Sequence, residues 1–360
     1  MIDKKQDKQM QENYDVVIVG AGPSGAMAAR VLVEKGLRVL IIEKKRLPRY
    51  KICSGIIFRK SQDITDRYFG QIPKSAYVEP ELLQGVRMWD CSGGYRDMPF
   101  SKEGRGAPNV WRSEFDHWLV RGSGAEVRDL FVFLGFDVEG DSLTLKCRDM
   151  REEREVRVTG KYLVSAEGGK SLIRAQLDPE FENGLRWFVA YQNYYEGESD
   201  LDPNLYHGFL DPQYGDVYAW FSVKDGLQIF GTAVKKGSMI APYLMKYTEF
   251  LKDQFSLKLK EMVRKSGCVG NNMCPEGKFY LGKGNVLLVG EAGGFLNAFG
   301  EGISCALTSG LCAGEAIIKC LESGESALSL YTELTKHERR LTRLSWRMGG
   351  KMAGRNLMPL

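Results

Sequence analysis

The chain is predicted to be an α/β protein, a parallel sheet with flanking helices interrupted by an inserted antiparallel sheet. Three observations carry this. Residues 15–19 form a short apolar strand that feeds a glycine turn, a helix and a second apolar strand, a βαβ unit at ordinary spacings. Residues 285–289 are another very apolar strand, again followed by a glycine-rich segment. Between them, residues 187–234 alternate and are rich in aromatics, a texture unlike that of the opening unit.

The elements follow in order. Gly36 ends a first helix over residues 24–35, and residues 38–43 make the next strand. Residues 47–61, rich in Pro, Arg, Lys and Gly, are too polar for core and read as a loop. Residues 85–90 and Tyr95–Pro99 read as strands around a turn at Cys91-Ser92-Gly93-Gly94. Arg112–Gly122 reads as a helix, with Ser113 a candidate cap and Phe115, Trp118 and Leu119 on one face. Residues 127–149 alternate like a small antiparallel sheet, and 161–166 are an apolar strand leading into Glu167-Gly168-Gly169-Lys170-Ser171. Residues 241–255 are predicted helical, and further helices run from Ile303 to Leu321 and from Ser326 onward.

Composition bounds the function. The 360 residues suffice for two domains, and 43% hydrophobic residues allow a sizeable core. A net charge of +4 argues against a dedicated nucleic-acid binder. No continuous apolar run approaches the ~18–20 residues of a membrane span. Residues 1–13 are polar, lack a signal-peptide core and read as a frayed arm, so a cytoplasmic location is expected. Eight cysteines are too few for a disulfide scaffold. Cys305, Cys312 and Cys320 fall on one helix and read as packing; Cys268 and Cys274 could pair, and free thiols are the favoured reading. With His117, His207 and His337 scattered, no metal site is expected.

The chemistry starts at Gly20-Ala21-Gly22-Pro23-Ser24-Gly25, between a strand and a helix. The first glycine allows the tight turn, the second lets backbone approach a pyrophosphate, and the third lets helix and strand pack closely. The helix N-terminus faces the phosphates. Glu43, 18 residues beyond Gly25 at a strand end, is placed to accept hydrogen bonds from a ribose, with Lys44 beside it. An acid there disfavours a phosphorylated ribose. This motif alone could hold NAD or FAD. The second segment, Gly290-Glu291-Ala292-Gly293-Gly294 followed by Gly300-Glu301-Gly302-Ile303, favours FAD. An acid at a strand end can bind ribityl hydroxyls, and a glycine-lined helix start can present amides to the flavin ring.

With these motifs and four further segments, the chain resembles the geranylgeranyl reductase family, a branch of the p-hydroxybenzoate-hydroxylase-like flavoproteins. The Gly290–Gly302 stretch is similar to that group's G-D-A-A-G…G-E-G-I segment, with Glu291 for Asp. Arg112-Ser113-Glu114-Phe115-Asp116-His117-Trp118-Leu119 resembles its R-x-x-F-D-x-W-L helix, whose arginine lies near the flavin. The segment from Ala166-Glu167-Gly168 to Ser171 and Arg174 resembles A-D-G-x-x-S-x-x-R, near the flavin phosphates. Pro48-Arg49-Tyr50-Lys51-Ile52-Cys53-Ser54-Gly55 resembles the family's P-x-x-K-x-C-G-G loop, which sets a cysteine beside the isoalloxazine. Lys51, Cys53, Ser54 and Gly55 are therefore expected to contact the cofactor, and Lys51 and Arg49 to favour the Cys53 thiolate. Tyr218-Ala219-Trp220-Phe221-Ser222-Val223-Lys224 resembles Y-x-W-x-F-P-K, a strand lining the substrate cavity.

The resemblance implies a Rossmann-like FAD-binding domain of the glutathione-reductase/p-hydroxybenzoate-hydroxylase type, discontinuous over 14–78, 105–178 and 280–325. An inserted antiparallel β-sheet substrate domain covers 79–104 and 179–279, and a helical segment covers 326–360. It implies an FAD-dependent reductase that saturates carbon–carbon double bonds of a hydrophobic, isoprenoid-type substrate, with Cys53, Tyr218 and Trp220 as catalytic candidates. NAD(P)H or ferredoxin would be the electron donor, and a redox partner protein or peripheral membrane contact would fit a lipid substrate. The rival expectations are an aromatic monooxygenase or halogenase and a non-catalytic flavin redox sensor. The halogenase Trp-x-Trp-x-Ile-Pro signature is absent.

Overall fold

The computed structural model describes residues 12–101 and 103–352. Residues 1–11 of the expected N-terminal arm lie outside the described residues, and Glu12 and Asn13 belong to the first strand. That strand, Glu12–Val19, lies at the centre of an eight-stranded sheet. Val39–Glu43 pairs with it in parallel on one side and Arg154–Ser165 on the other. Glu126–Asp129 and Val286–Leu288 extend the parallel set outward. Val16, Val17, Ile18, Leu40, Ile41, Ile42, Leu163, Val164, Leu287 and Leu288 are all buried. A parallel sheet covered on both faces needs such unbroken apolar runs, because neither side of a strand meets water.

One strand of this sheet and one loop beside it differ from expectation. Residues 127–149 are not one small antiparallel sheet. Glu126–Asp129 is a parallel strand of the main sheet, and only the hairpin Phe131–Glu139 with Ser142–Asp149 is antiparallel, joined through Arg154–Ser165. The stretch 47–61 closes sooner than expected, because a helix, Arg59–Tyr68, begins inside it. Its inner face fully buries only Ser61 and Thr65, with Ile64 and Tyr68 half-buried against the core, so its apolar stripe is weak.

The helix Ile303–Ser323 has the length and apolar composition of a membrane span, although broken by Ser, Thr and Gly. Its apolar window is 67% buried inside the protein. It packs on the helix Pro23–Glu34, where a Cβ on Gly310 would lie 2.2 Å from the Ser24 carbonyl oxygen. The glycine lets the two backbones touch, and Cys305 and Cys312 are buried among Ala, Leu and Ile as expected.

The second sheet has seven strands, with Lys258–Asn271 and Tyr95–Pro99 at its edges. Trp187–Glu198, Leu227–Lys235, Ala219–Lys224 and Leu205–Phe209 run antiparallel between them, as the aromatic alternation predicts. One pair departs from this: Leu205–Phe209 and Gly85–Trp89 are parallel. The 14-residue strand Lys258–Asn271 has no counterpart in the sequence reading, because most of it is exposed and charged. Along Ala219–Lys224 the odd positions Ala219, Phe221 and Val223 pack in the core cluster with Tyr247 and Leu251 of the helix Ile240–Phe255. The alternation of a strand puts Tyr218, Trp220, Ser222 and Lys224 on the opposite face. All eight cysteines are free thiols, including Cys268 and Cys274.

Candidate functional site

The carboxyl ends of the central parallel strands meet at one edge, where open α/β sheets bind ligands. Gly20 N donates to Ile42 O, Ala166 N to Val19 O, and Val289 N to Ser165 O, so three loops leave side by side. Gly20, at φ +114°, sits against Ala166, whose carbonyl oxygen is 2.3 Å from where a Cβ would be. Gly290, at φ +58°, brings the second glycine segment against the Ser24 hydroxyl. The two motifs that lie far apart in sequence therefore adjoin in space.

The arrangement fits a dinucleotide. Pro23 opens its helix and no side chain caps it, which leaves the first-turn amides to an anion. A Cβ on Gly22 would meet only the end of the Arg49 side chain, at 3.6 Å, and one on Gly168 would meet nothing within 4 Å. Glu43 is buried at the end of its strand. Its carboxylate accepts from the amides of Ala21 and Lys45, at 3.2 and 3.0 Å, and from Arg49 Nε at 2.8 Å. Lys44 is exposed beside it.

Arg49 begins a chain of charges that sequence reasoning did not assemble. It contacts Glu43 and also Asp116, at 3.3 Å. Asp116 in turn receives Arg112 through Nε and Nη2, at 2.7 and 2.9 Å, within one helical turn. Arg112 is buried and hydrogen-bonded to Cys53. An alternating ionic string thus runs from the glycine turn to the cysteine loop. The i,i+4 spacing of Arg112 and Asp116 was readable in the sequence.

Cys53 is partly exposed, and Gly55 N donates to its sulfur at 3.4 Å. Burial acts to raise the thiol, but Arg112, the Gly55 amide and Lys224 bring it below the ordinary thiol range. These cations differ from the expected Lys51 and Arg49. The loop turns Cys53 inward toward the start of the helix Arg112–Gly122. Arg49 is committed to Glu43 and Asp116, and the charge of Lys51 acts on Cys268 instead. Lys224 is buried and donates to Val110 O at 2.6 Å; burial lowers its pKa to about 8.

Tyr218 and Tyr206 are hydrogen-bonded to each other near Cys53, and burial raises both, Tyr218 to about 12. The Tyr218 hydroxyl lies 3.8 Å from the Cβ position of Gly300, tying this sheet to the second glycine segment. Trp220 lies among Gly208, Gly231 and Gln192 and donates its indole N–H to Gln192 at 2.6 Å. A cavity of about 220 Å³ beside the cysteine loop is lined by Tyr50, Trp111, Tyr194 and Arg264 among others.

The two acids that replace the family's Asp behave differently from each other. Glu167 accepts from Ser165, Ser171 and the amides of Leu172 and Ile173, so it caps the helix Leu172–Leu177. Glu291 turns its carboxylate toward Gly169. Arg174, fully buried, bonds Ala292 O, Gly169 O and Glu182, and so clamps the Glu167 and Glu291 loops together. At the second helix start, Glu301 accepts from Ser304 N at 2.9 Å, beside Gly302 and Ile303.

Comparison with known proteins agrees with this geometry. Residues 13–66 and 112–189 match the model of the FAD binding domain. The protein CbrA of Escherichia coli O1:K1 is 28% identical over 335 residues, 88% of this chain and 84% of that protein. CbrA of Shigella sonnei is 29% identical over 317 residues, 83% of this chain and 82% of that protein. Among solved structures, a geranylgeranyl bacteriochlorophyll reductase-like protein from Thermoplasma acidophilum superposes with a TM-score of 0.79 at 21% identity. It covers 95% of this chain and 88% of its own. The myxobacterial chondrochloren halogenase CndH superposes at 0.71 with 20% identity, covering 94% of this chain and 82% of its own.

Proposed function

We infer that this chain holds FAD on the fold that a geranylgeranyl bacteriochlorophyll reductase-like protein and a flavin halogenase share. From that premise we propose that this FAD-dependent oxidoreductase saturates a carbon–carbon double bond of a hydrophobic, isoprenoid-type substrate. The observation that carries the reading is Cys53. It sits on a loop resembling that of the reductases, among Arg112, Lys224, Tyr206 and Tyr218 and near an aromatic cavity.

Bound FAD supplies hydride transfer. The Gly20–Gly25 turn and its uncapped helix would hold the pyrophosphate, Glu43 and Arg49 the adenosine end, and the Gly290–Gly293 segment the ribityl side. Tyr50, Trp111 and Tyr194 would hold an apolar chain and keep water from it. Cys53 Sγ would deliver the proton that the second alkene carbon needs, since a thiol held below its ordinary range is a better general acid. NAD(P)H or a ferredoxin-type protein would supply the electrons.

A prenyl substrate implies a lipid phase, and the C-terminal helix Lys336–Met352 offers a surface for one. Exposed Leu341, Leu344 and Met348 lie beside Arg340, Arg343 and Arg347. Arg340 and Arg347 make no ion pair among the described residues. A basic, apolar outer face suits an anionic bilayer.

The test is anaerobic turnover of chemically reduced protein with a panel of prenyl lipids. A product heavier by two hydrogens, with reoxidised flavin, supports the reading. Turnover that requires oxygen would favour the halogenase or monooxygenase reading, and bound FAD without turnover the redox sensor.

A further inference from the structure

Lys224 is a buried cation whose usual partners are missing. Its ammonium donates to Val110 O at 2.6 Å and stands 5.0 Å from the Trp111 ring centre. Among the described residues no carboxylate forms an ion pair with it. Asp225, next in the chain, is turned away and accepts from Glu79 N and Trp111 Nε1, at 2.8 and 2.7 Å. Asp116, the acid nearest the cysteine loop, is held by Arg112 and Arg49. A buried charge without a counter-ion is costly, so a chain that keeps one needs an anion within reach.

The loop is shaped around this amine. Gly55, at φ +72°, packs so closely that a Cβ there would lie 2.1 Å from Val110 O and 2.3 Å from Lys224 Nζ. Gly55 also donates its amide to Cys53 Sγ, and Val110 N returns a hydrogen bond to Gly55 O at 3.0 Å. The glycine is thus the contact between the amine on one side and the sulfur on the other. The groups that act on the sulfur are Arg112, whose charge Asp116 already balances, and Lys224, which makes no ion pair among the described residues and feels Asp225 only through space. The remaining titratable neighbours are Tyr50, Tyr206, Tyr218 and Cys268, all neutral as acids here because burial raises them.

We propose that Lys224 is a positioning residue for Cys53: its ammonium is the counter-ion that lets this thiol ionise inside the protein, so that the two work as one couple. The use of the couple as a proton source rests on the reductase reading. The S–H bond of Cys53 breaks as a C–H bond forms at one alkene carbon, and the other carbon receives hydride from reduced flavin, the reductant. The thiolate left behind is held by Lys224 until a proton from solvent restores it.

The couple is tested on the FAD-loaded protein without substrate, by the rate of iodoacetamide alkylation at Cys53 against pH, read by peptide mass spectrometry. Exposed Cys91 is the internal control. Lys224→Gln is expected to move the Cys53 profile to higher pH and slow its alkylation about tenfold near neutrality, the effect of a shift of about one pH unit. Cys91 should be unchanged. Lys224→Arg, which keeps the charge, should restore most of the rate. The difference between Lys224→Gln and the parent should shrink above about pH 8, where Lys224 itself loses its proton. An unshifted Cys53 profile in Lys224→Gln, in protein with normal FAD content, would overturn the couple. Anaerobic turnover of the same variants then separates the two ideas. A shifted alkylation profile with no alkene reduction by the parent keeps the couple and rejects the reductase reading.

Discussion

Replacing Lys224 with Met should stabilise the protein at neutral pH and lose that advantage in alkali. The amine is pushed from the usual 10.5 down to about 8 in a site that leaves Lys224 only 2% exposed. Each tenfold change in proton affinity corresponds to about 1.4 kcal/mol, so holding the charge costs the fold roughly 3 kcal/mol at neutral pH. Methionine keeps the apolar stem as far as the Cε position and removes the ammonium. It leaves Val110 O without its donor, which gives back about 1–2 kcal/mol. The expected net gain at neutral pH is therefore about 1–2 kcal/mol. The sign with pH follows from linkage. The unfolded chain binds this proton more tightly, so the cost is full below about pH 8 and fades as pH rises toward 10.5. Urea unfolding of parent and variant, at neutral pH and at about pH 10, reads the difference. A gain that does not change with pH, or a loss of stability of about 2 kcal/mol or more at neutral pH, would refute the claim that Lys224 is a cation held at a cost.

Three further outcomes are expected. Gly22→Val should abolish FAD retention while leaving the fold intact, because the space beside Gly22 is open apart from the end of Arg49. Flavin absorbance and circular dichroism of the purified variant check both halves. Arg174→Met should destabilise the protein by about 3–5 kcal/mol, since Glu182 keeps a charge without its partner and two carbonyls lose their donor. Denaturant titration measures this, and a change under about 1 kcal/mol would contradict the clamp. In vesicle sedimentation the parent should bind anionic but not neutral liposomes, and a double variant with Arg340→Glu and Arg347→Glu should stay in the supernatant. Equal binding by the variant would remove the C-terminal helix as the contact surface.

Much of the parallel core was legible because a strand buried on both faces must be apolar throughout. Val16 to Val19, Val39 to Ile42 and Val286 to Leu288 could hardly be read otherwise. The aromatic sheet was legible through its alternation. Lys258–Asn271 was not, because this edge strand holds its place through backbone pairing with Trp187–Glu198 while its side chains face water. In the site, glycines marked where backbones approach, and Cys53 and Arg112 came from a resemblance. Lys224 was quoted within a motif without a role, although its alternation with Tyr218 and Trp220 already placed it on the inward face. Arg49 and Asp116 escaped as a pair because their meeting depends on how a polar loop folds over a helix, which no local pattern encodes. Glu167 shows the reverse case: an acid in a cofactor-type motif whose oxygens cap a helix.

On the proposed reading, this FAD-binding chain passes hydride and a proton to a double bond, with Cys53 as the acid. The most direct measurement is stopped-flow oxidation of the reduced, anaerobic protein by a polyprenyl substrate, for the parent and for Cys53→Ser. Substrate-dependent return of oxidised flavin absorbance is expected, together with saturated product. Cys53→Ser should bind FAD normally and be reduced normally, yet show this step slowed by about 10²-fold or more. Flavin that stays reduced until oxygen is admitted, or a Cys53→Ser protein that matches the parent, would contradict it.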